Sequence, residues 1–245
     1  MADFRSYRDD AIKRYLESVG VHADGDPVHP DLTFSLPEIV IPAQSATQKS
    51  RTVVGLGLMD FAGMYSAPRL SREIYLAYLV QLSSVVRWLL ARGYDVRFLV
   101  GDLGDTRVKE ALKGLVRAES SEHHEGNLID EPVVSVEDLL SQIAATDMVM
   151  ATRFHSVLLA LLCNKPVIAI SFHQKSESLM SAMGLSEYCV DINDLRADRL
   201  IETFCDLERN AGKLKPLMQE KAREYREALD GQYELIFQGA AWKKR

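Results

Sequence analysis

The stretch DMVMATRFHSVLLALLCNKPVIAISFHQK, residues 147–175, decides the fold of this chain. Its first residues, 147–150, are a short apolar run that predicts a β-strand. Residues 157–163 are apolar on every side, which predicts a helix buried on all its faces. Pro166 ends that helix, and the apolar residues 167–170 predict a second strand. The stretch therefore predicts one β-α-β unit.

Polar residues lie at the turn between the first strand and the helix of this unit. Thr152 is expected to cap the helix that Arg153, Phe154 and His155 open. In a β-α-β unit the carboxyl end of a strand meets the amino end of a helix there, and free N–H groups and the helix dipole favour an anion. Arginine adds a fork-shaped cation that suits phosphate or carboxylate. We therefore predict an anion site at this turn.

The rest of the chain alternates between strand and helix patterns. Further strands are predicted at 53–58, 96–100 and 188–190, and further helices at 70–92, 105–116, 136–145, 176–183, 195–210 and 213–237. Residues 1–50 are predicted to form a helix at 7–19 and an irregular approach segment with one short strand at 32–36. Residues 51–245 are predicted to form an α/β domain, a Rossmann-like parallel sheet with helices on both faces. The two glycines in 53–58 suggest close approach of a ligand or another backbone, but they lack the full dinucleotide-binding pattern.

Several motifs, taken together, resemble the polysaccharide pyruvyl transferase family. They are R-F-H at 153–155, K-P-V at 165–167, Lys175, LMSAMGLSEY at 179–188, Arg8-Asp9 with Gly20, and PDLTFSLP at 30–37. Members of that family usually have two Rossmann-like halves in a glycosyltransferase-B-like (GT-B-like) arrangement. The motifs found here belong to the second, C-terminal half and to the approach to it. A preceding half has no room before residue 51, so we expect a further domain or a separate chain to supply the acceptor side.

The resemblance implies a reaction and a set of site residues. The donor is phosphoenolpyruvate, and the product is a saccharide or lipid-linked sugar that carries pyruvate as a ketal, as in exopolysaccharide biosynthesis. His155 is expected to transfer the proton and Arg153 to grip the donor, because an imidazole can give or take a proton near neutral pH. The expected substrate-binding residues are Arg8, Phe154, Lys175, His173 and Arg5. No cofactor or metal is expected, since the adjacent His123 and His124 lie in a polar loop and cannot easily share one ion.

Composition excludes some other classes of protein. With 47% hydrophobic and 26% charged residues the chain is of ordinary globular composition, and its net charge of −6 argues against nucleic acid as a partner. No uninterrupted apolar run approaches the roughly 20 residues of a membrane span, and the charged start MADFRSYRDD is unlike a secretory signal. Cys163, Cys189 and Cys205 have no metal-ligand spacing and are expected to be free thiols. We expect a cytoplasmic protein that does not span a membrane.

Two other functions fit the same sequence. The first is a GT-B-type glycosyltransferase that uses a nucleotide-sugar, because one architecture serves both chemistries. The second is a non-catalytic module that binds a sugar or a nucleotide.

Overall fold

The computed structural model describes residues 4–42, 51–60, 68–119 and 126–239. Its strands are β1 (Val53–Gly57), β2 (Asp95–Leu99), β3 (Leu128–Ile129), β4 (Met148–Ala151), β5 (Val167–Ser171) and β6 (Cys189–Asp191). Its α-helices are α1 (Asp10–Ser18), α2 (Pro68–Ala91), α3 (Asp105–Glu119), α4 (Val136–Ala144), α5 (Phe154–Leu162), α6 (Gln174–Ala182) and α7 (Ala197–Gly239). Short 3-10 helices span Leu32–Ser35, Glu38–Val40, Ser186–Tyr188 and Ile192–Asp194.

The six strands form one parallel sheet in the order β3-β2-β1-β4-β5-β6. The register places Val54 beside Met148 and Gly57 beside Ala151, so β1 and β4 lie at the centre. The chain winds outwards from these two strands in opposite directions, and right-handed crossovers then place helices on both faces. The expected Rossmann-like α/β fold is confirmed. Ligands of such sheets bind outside the carboxyl ends of the strands, where the order reverses.

The three central strands have no exposed residue. Every residue of β1, β4 and β5 is buried, and α5 is buried at every position except His155 and Leu162. This is the pattern of a parallel sheet covered on both faces, and it agrees with the apolar runs of the sequence. The tight core therefore fixes the position of the loop from β4 to α5.

Gly57 of β1 is required by packing against the next strand. A Cβ atom added there would lie 2.8 Å from the Cβ of Ala151 and 3.3 Å from its Cα, and the equivalent atom on Gly55 would lie 2.8 Å from a methyl group of Leu99. Both glycines therefore leave space for neighbouring strands and their side chains.

Gly57→Ala is expected to lower the free energy of unfolding by about 1–3 kcal/mol, because the added methyl overpacks the core. Urea denaturation measures the change. Gly114→Ala is the matched control, since Gly114 lies in α3 with nothing within 4 Å of its added Cβ. Alanine is the better helix former, so this control should stabilise the protein by about 0.5–1 kcal/mol. Equal effects of both changes would contradict the packing argument.

Helix α2 is more apolar over its length than was expected of any segment of this chain. Its residues Arg72–Ala91 are long and apolar enough to cross a membrane, with a mean hydropathy of 1.5, although charged and polar residues interrupt the apolar run. The inner face of this helix, which includes Leu82, Val85, Val86 and Leu89, is fully buried in the hydrophobic core. A core helix of a globular domain has the same composition.

Three predicted elements were wrong. Residues 32–36 form a 3-10 helix instead of a strand, because the Asp31 carboxylate accepts a hydrogen bond from the Thr33 backbone and Phe34 turns inwards. The short strand β3 lies in a stretch predicted as a surface loop, of which residues 120–125, with His123 and His124, lie outside the described part of the chain. The two C-terminal helices are one helix, α7, which continues through Pro216 because Leu207, Met218 and Leu229 are all buried.

Helix α7 also holds the N-terminal segment in place. The Tyr233 hydroxyl lies 2.9 Å from the Ser35 hydroxyl, and Arg226 donates to the Leu36 carbonyl at 2.7 Å. The side chain of Gln232 donates to Ser6 at 2.8 Å. The approach segment thus packs against the far end of the chain, while the division into residues 1–50 and 51–245 stays a prediction. This packing brings the start of α1 to the sheet.

Candidate functional site

Arg153 follows β4 and lies at the point where the strand order reverses. Its Nε and Nη2 atoms donate to the two carboxylate oxygens of Asp105 at 2.5 and 2.8 Å. Asp105 is fully buried and also accepts the backbone N–H of Asp60 at 2.8 Å. The hydrogen bonds that Arg153 donates to Asp105 raise the pKa of its guanidinium, so this residue keeps its charge. The fork that was expected to grip the donor is thus held by a carboxylate in the structure.

The start of α5 has an uncapped set of backbone N–H groups. The N-cap residue is Arg153, and its side chain makes no capping hydrogen bond. The expectation that Thr152 caps this helix was wrong, because its hydroxyl is buried and lies 2.9 Å from the Tyr78 hydroxyl. By contrast, α1 is capped by Asp9, and α6 by His173. The amino end of α5 therefore keeps free N–H groups that attract an anion.

A cleft of about 430 Å³ lies between the N-terminal segment and the starts of α5 and α6. Its lining includes three basic residues, Arg8, Arg14 and Lys175, and three acidic ones, Asp9, Asp10 and Asp31, together with His29, Phe154 and Tyr225. Three of the predicted site residues, Arg8, Phe154 and Lys175, therefore meet in one cavity. Its volume falls within the range of about 300–1,000 Å³ that small-molecule sites usually have.

Two cations of the cleft flank the Phe154 ring. The guanidinium carbon of Arg8 lies 4.8 Å from the ring centroid, and the Lys175 amine lies 5.4 Å from it. Both distances allow cation–π attraction, which holds the two charges near each other. Burial lowers the pKa of the Lys175 amine, and the positive charges of Arg8 and Arg153 lower it further. An anion between these groups would relieve their repulsion.

His155 lies in the first turn of α5 and is exposed. Its ring meets the Phe154 ring edge to face at 5.2 Å between centroids, but it does not line the cleft itself. Burial alone would raise the pKa of the nearby Asp31 carboxyl, yet hydrogen bonds from Thr33 and the charge of His155 lower it. Asp31 also accepts from Arg8 at 3.4 Å. His155 is therefore within electrostatic reach of the cleft.

The structure does not bring the other predicted residues into this cleft. The Nδ1 atom of His173 accepts the Lys175 backbone N–H at 3.2 Å, so His173 caps α6. Arg5 donates to the His22 carbonyl at 2.7 Å and pairs with Asp26 at 2.9 Å. No group of three or more metal-binding side chains occurs among the described residues, and Cys163, Cys189 and Cys205 are free thiols.

Several residues of the cleft were not predicted from the sequence. Arg14 lies in the second turn of α1, and Tyr225 comes from α7. Asp31 belongs to the PDLTFSLP motif, and His29 directly precedes it. The motif was interpreted as a family signature, and no role was predicted for its carboxylate. That motif was the available signal for Asp31. Nothing local marks Tyr225, because only the docking of α7 brings it to the cleft.

The fold is similar to that of several solved structures. A putative UDP-N-acetylglucosamine 2-epimerase from Listeria monocytogenes aligns with a TM-score of 0.63 at 11% identity, over 98% of this chain and 61% of that one. The S. aureus MnaA–UDP structure aligns with a TM-score of 0.60 at 11% identity, over 89% and 53%. An alpha,alpha-trehalose-phosphate synthase (UDP-forming) from Burkholderia vietnamiensis aligns with a TM-score of 0.56 at 13% identity, over 99% and 62%. The chain thus spans between about half and three fifths of these neighbours.

Fold and cleft together define a class, the GT-B-like α/β proteins with a cleft at the carboxyl edge of a parallel sheet. The sequence places the chain more narrowly. It belongs to the polysaccharide pyruvyl transferase family, whose sequence profile matches residues 2–174, and the chain is therefore a member of a transferase family. Among curated proteins no sequence match was found.

Proposed function

We propose that this chain binds phosphoenolpyruvate and transfers its pyruvate group to a saccharide as a ketal. The observation that carries the proposal is the cleft where Arg8 and Lys175 flank Phe154 at the uncapped start of α5. Phosphoenolpyruvate is small and carries a phosphate and a carboxylate. Two nearby cations and free backbone N–H groups suit such a ligand, since charge-assisted hydrogen bonds are strong.

The reaction needs a proton donor and a stabilised cationic centre. His155 gives a proton to the methylene carbon of the donor, and C2 becomes an oxocarbenium-like centre. One sugar hydroxyl forms a bond to C2 and releases its proton, which restores the imidazolium. A second hydroxyl then forms the other C–O bond as the bond from C2 to the phosphate oxygen breaks, and its proton goes to the departing phosphate. The products are the ketal and inorganic phosphate.

Each residue of the site has a place in this scheme. Arg8 and Lys175 bind the anionic groups of the donor, and Phe154 holds these two cations side by side. Arg153 stays paired with Asp105, and its positive charge helps to lower the pKa of the Lys175 amine. The acceptor, either a saccharide or a lipid-linked sugar, and a cytoplasmic location stay predictions.

Thermal unfolding in the presence of candidate donors tests which donor the protein binds. We expect phosphoenolpyruvate to stabilise the protein by about 2.7 kcal/mol at a concentration of 100 times Kd, because it binds only the folded state. UDP-glucose and UDP-N-acetylglucosamine should have no effect. Arg8→Gln should abolish the stabilisation, while Arg5→Gln, a change in the same segment but outside the cleft, should keep it.

A different result would favour one of the two alternative functions, a glycosyltransferase or a non-catalytic module. Stabilisation by a nucleotide-sugar and not by phosphoenolpyruvate would favour a glycosyltransferase; among the structural neighbours, one is a complex with UDP and another is a UDP-forming synthase. Stabilisation by neither donor would contradict both enzymatic functions and favour a non-catalytic module.

A further inference from the structure

A second cavity, of about 310 Å³, adjoins the donor cleft. The two cavities share Arg8, His29, Pro30 and Asp31 in their linings, and the second adds Ser6, Tyr7, Leu32 and Gln232. It therefore lies where the N-terminal segment meets α7. Anything bound there would contact the same residues that border the donor.

Buried polar atoms without hydrogen-bond partners are concentrated around this second cavity. Gln232 is 5% exposed, and its Nε2 atom donates to Ser6, but its Oε1 atom is buried without a partner. The Nε2 atom of His29 and the Nε atom of Arg8 also lack a hydrogen bond. Among the described residues seven buried side-chain atoms are in this state, and three of them belong to this cavity's lining. Buried polar groups in folded proteins nearly always have partners, so such a concentration points to a ligand.

This observation holds for either orientation of the Gln232 amide. If the oxygen and nitrogen atoms are exchanged, the oxygen accepts from the Ser6 hydroxyl and the nitrogen is the atom without a partner. In both cases one polar atom of a buried side chain is free. A hydroxyl group can pair with either one, because it both donates and accepts.

The chemistry of the lining favours an uncharged ligand rich in hydroxyl groups. Arg8 is already paired with the Asp31 carboxylate, and Ser6, His29 and Gln232 offer hydrogen bonds without a fixed charge. Pro30 and Leu32 add apolar surface, which suits the C–H face of a sugar ring. The volume lies at the lower end of the range of about 300–1,000 Å³ for small-molecule sites, which suits a single sugar ring.

We propose that this cavity is a saccharide subsite, in which Gln232 and His29 bind hydroxyl groups of the acceptor. The assignment of the saccharide as the acceptor rests on the proposed function, whereas saccharide binding itself does not. The subsite places the acceptor within this chain, and not in the further domain or separate chain expected from the sequence. A sugar in this subsite borders the donor cleft at Arg8 and Asp31, which line both cavities.

Saccharide binding is measured by saturation-transfer NMR with methyl hexopyranosides of the gluco, galacto and manno series, whose free 4- and 6-hydroxyls form a diol. The unmodified protein should bind at least one of them. Gln232→Leu keeps the size of the side chain and removes its polar atoms, and we expect the affinity for the sugar to fall about tenfold or more. Gln219→Leu is the matched control, because Gln219 is an exposed glutamine on the same helix.

A second variant keeps the test decisive if Gln232→Leu does not fold. Leu32 is 58% exposed and lines the second cavity but not the donor cleft, so Leu32→Ala should fold and weaken sugar binding about threefold. Phosphoenolpyruvate binding, measured on the same samples, should stay unchanged in Leu32→Ala, which leaves the hydrogen bond between Gln232 and Ser6 intact. The subsite is refuted if the unmodified protein binds none of the sugars or if the folded variants bind them equally well. Sugar binding without phosphoenolpyruvate binding would instead refute the proposed function and leave the subsite standing.

Discussion

Replacing His155 with alanine is expected to lower turnover by about two to four orders of magnitude, the usual contribution of a general acid. Donor affinity should change little, because His155 is exposed and does not line the cleft, whereas Arg8 and Lys175 do. Ketal formation on a saccharide, followed by mass spectrometry, measures turnover. Calorimetry with phosphoenolpyruvate measures binding. The two numbers together separate proton transfer from donor binding.

The control for this experiment is His22→Ala. His22 is also exposed and takes part in the described hydrogen bonds through its backbone carbonyl, which accepts from Arg5. We expect this variant to keep full turnover. If His155→Ala loses affinity and turnover by the same factor, His155 is a binding residue and the proton comes from another group.

Replacing Asp105 with alanine is expected to lower the free energy of unfolding by about 3 kcal/mol, the lower end of the cost of breaking a buried ion pair. The lower end applies because the Arg153 side chain is 28% exposed and can regain water, whereas Asp105 is 0% exposed. The change also removes the acceptor of the Asp60 backbone N–H. Chemical denaturation followed by circular dichroism measures the loss.

Asp102 provides the matched comparison for Asp105. Its carboxylate lies 3.7 Å from Arg153 but is 56% exposed, so Asp102→Ala should cost less than about 1 kcal/mol. A similar cost for both variants would mean that the burial of Asp105 does not matter and that Arg153 is held by general surface electrostatics.

The sequence predicted the centre of the fold well because its signals there are local. The strands on either side of α5 begin and end within one residue of the predicted runs at 147–150 and 167–170, since buried parallel strands are continuously apolar. Short elements gave no such signal. A two-residue strand such as β3 has no periodicity, and the 3-10 helix at Leu32–Ser35 depends on a single capping carboxylate.

The site was predictable to the extent that its residues occur in motifs. The family motifs indicated Arg8, Phe154 and Lys175, and the structure brings these three together. The pairing of Arg153 was not predictable, because Asp105 lies 48 positions earlier and its burial depends on the whole sheet. Gln232 likewise meets Ser6 across 226 positions. Contacts over such distances follow from tertiary packing, which periodicity does not describe.

The N-terminal segment and the sheet each contribute residues to the site, and the segment can detach from α7 without unfolding of the sheet. The strands of the sheet lie within residues 53–191, whereas Arg8 and Asp31 belong to the N-terminal segment, which hydrogen-bonds to the last turns of α7. Regions held by few contacts open at a lower free energy than the core of the same domain. Amide hydrogens around Tyr7 and His29 would then exchange with solvent long before those of β4. A ligand bound in the cleft would slow that exchange, because it binds only the docked state.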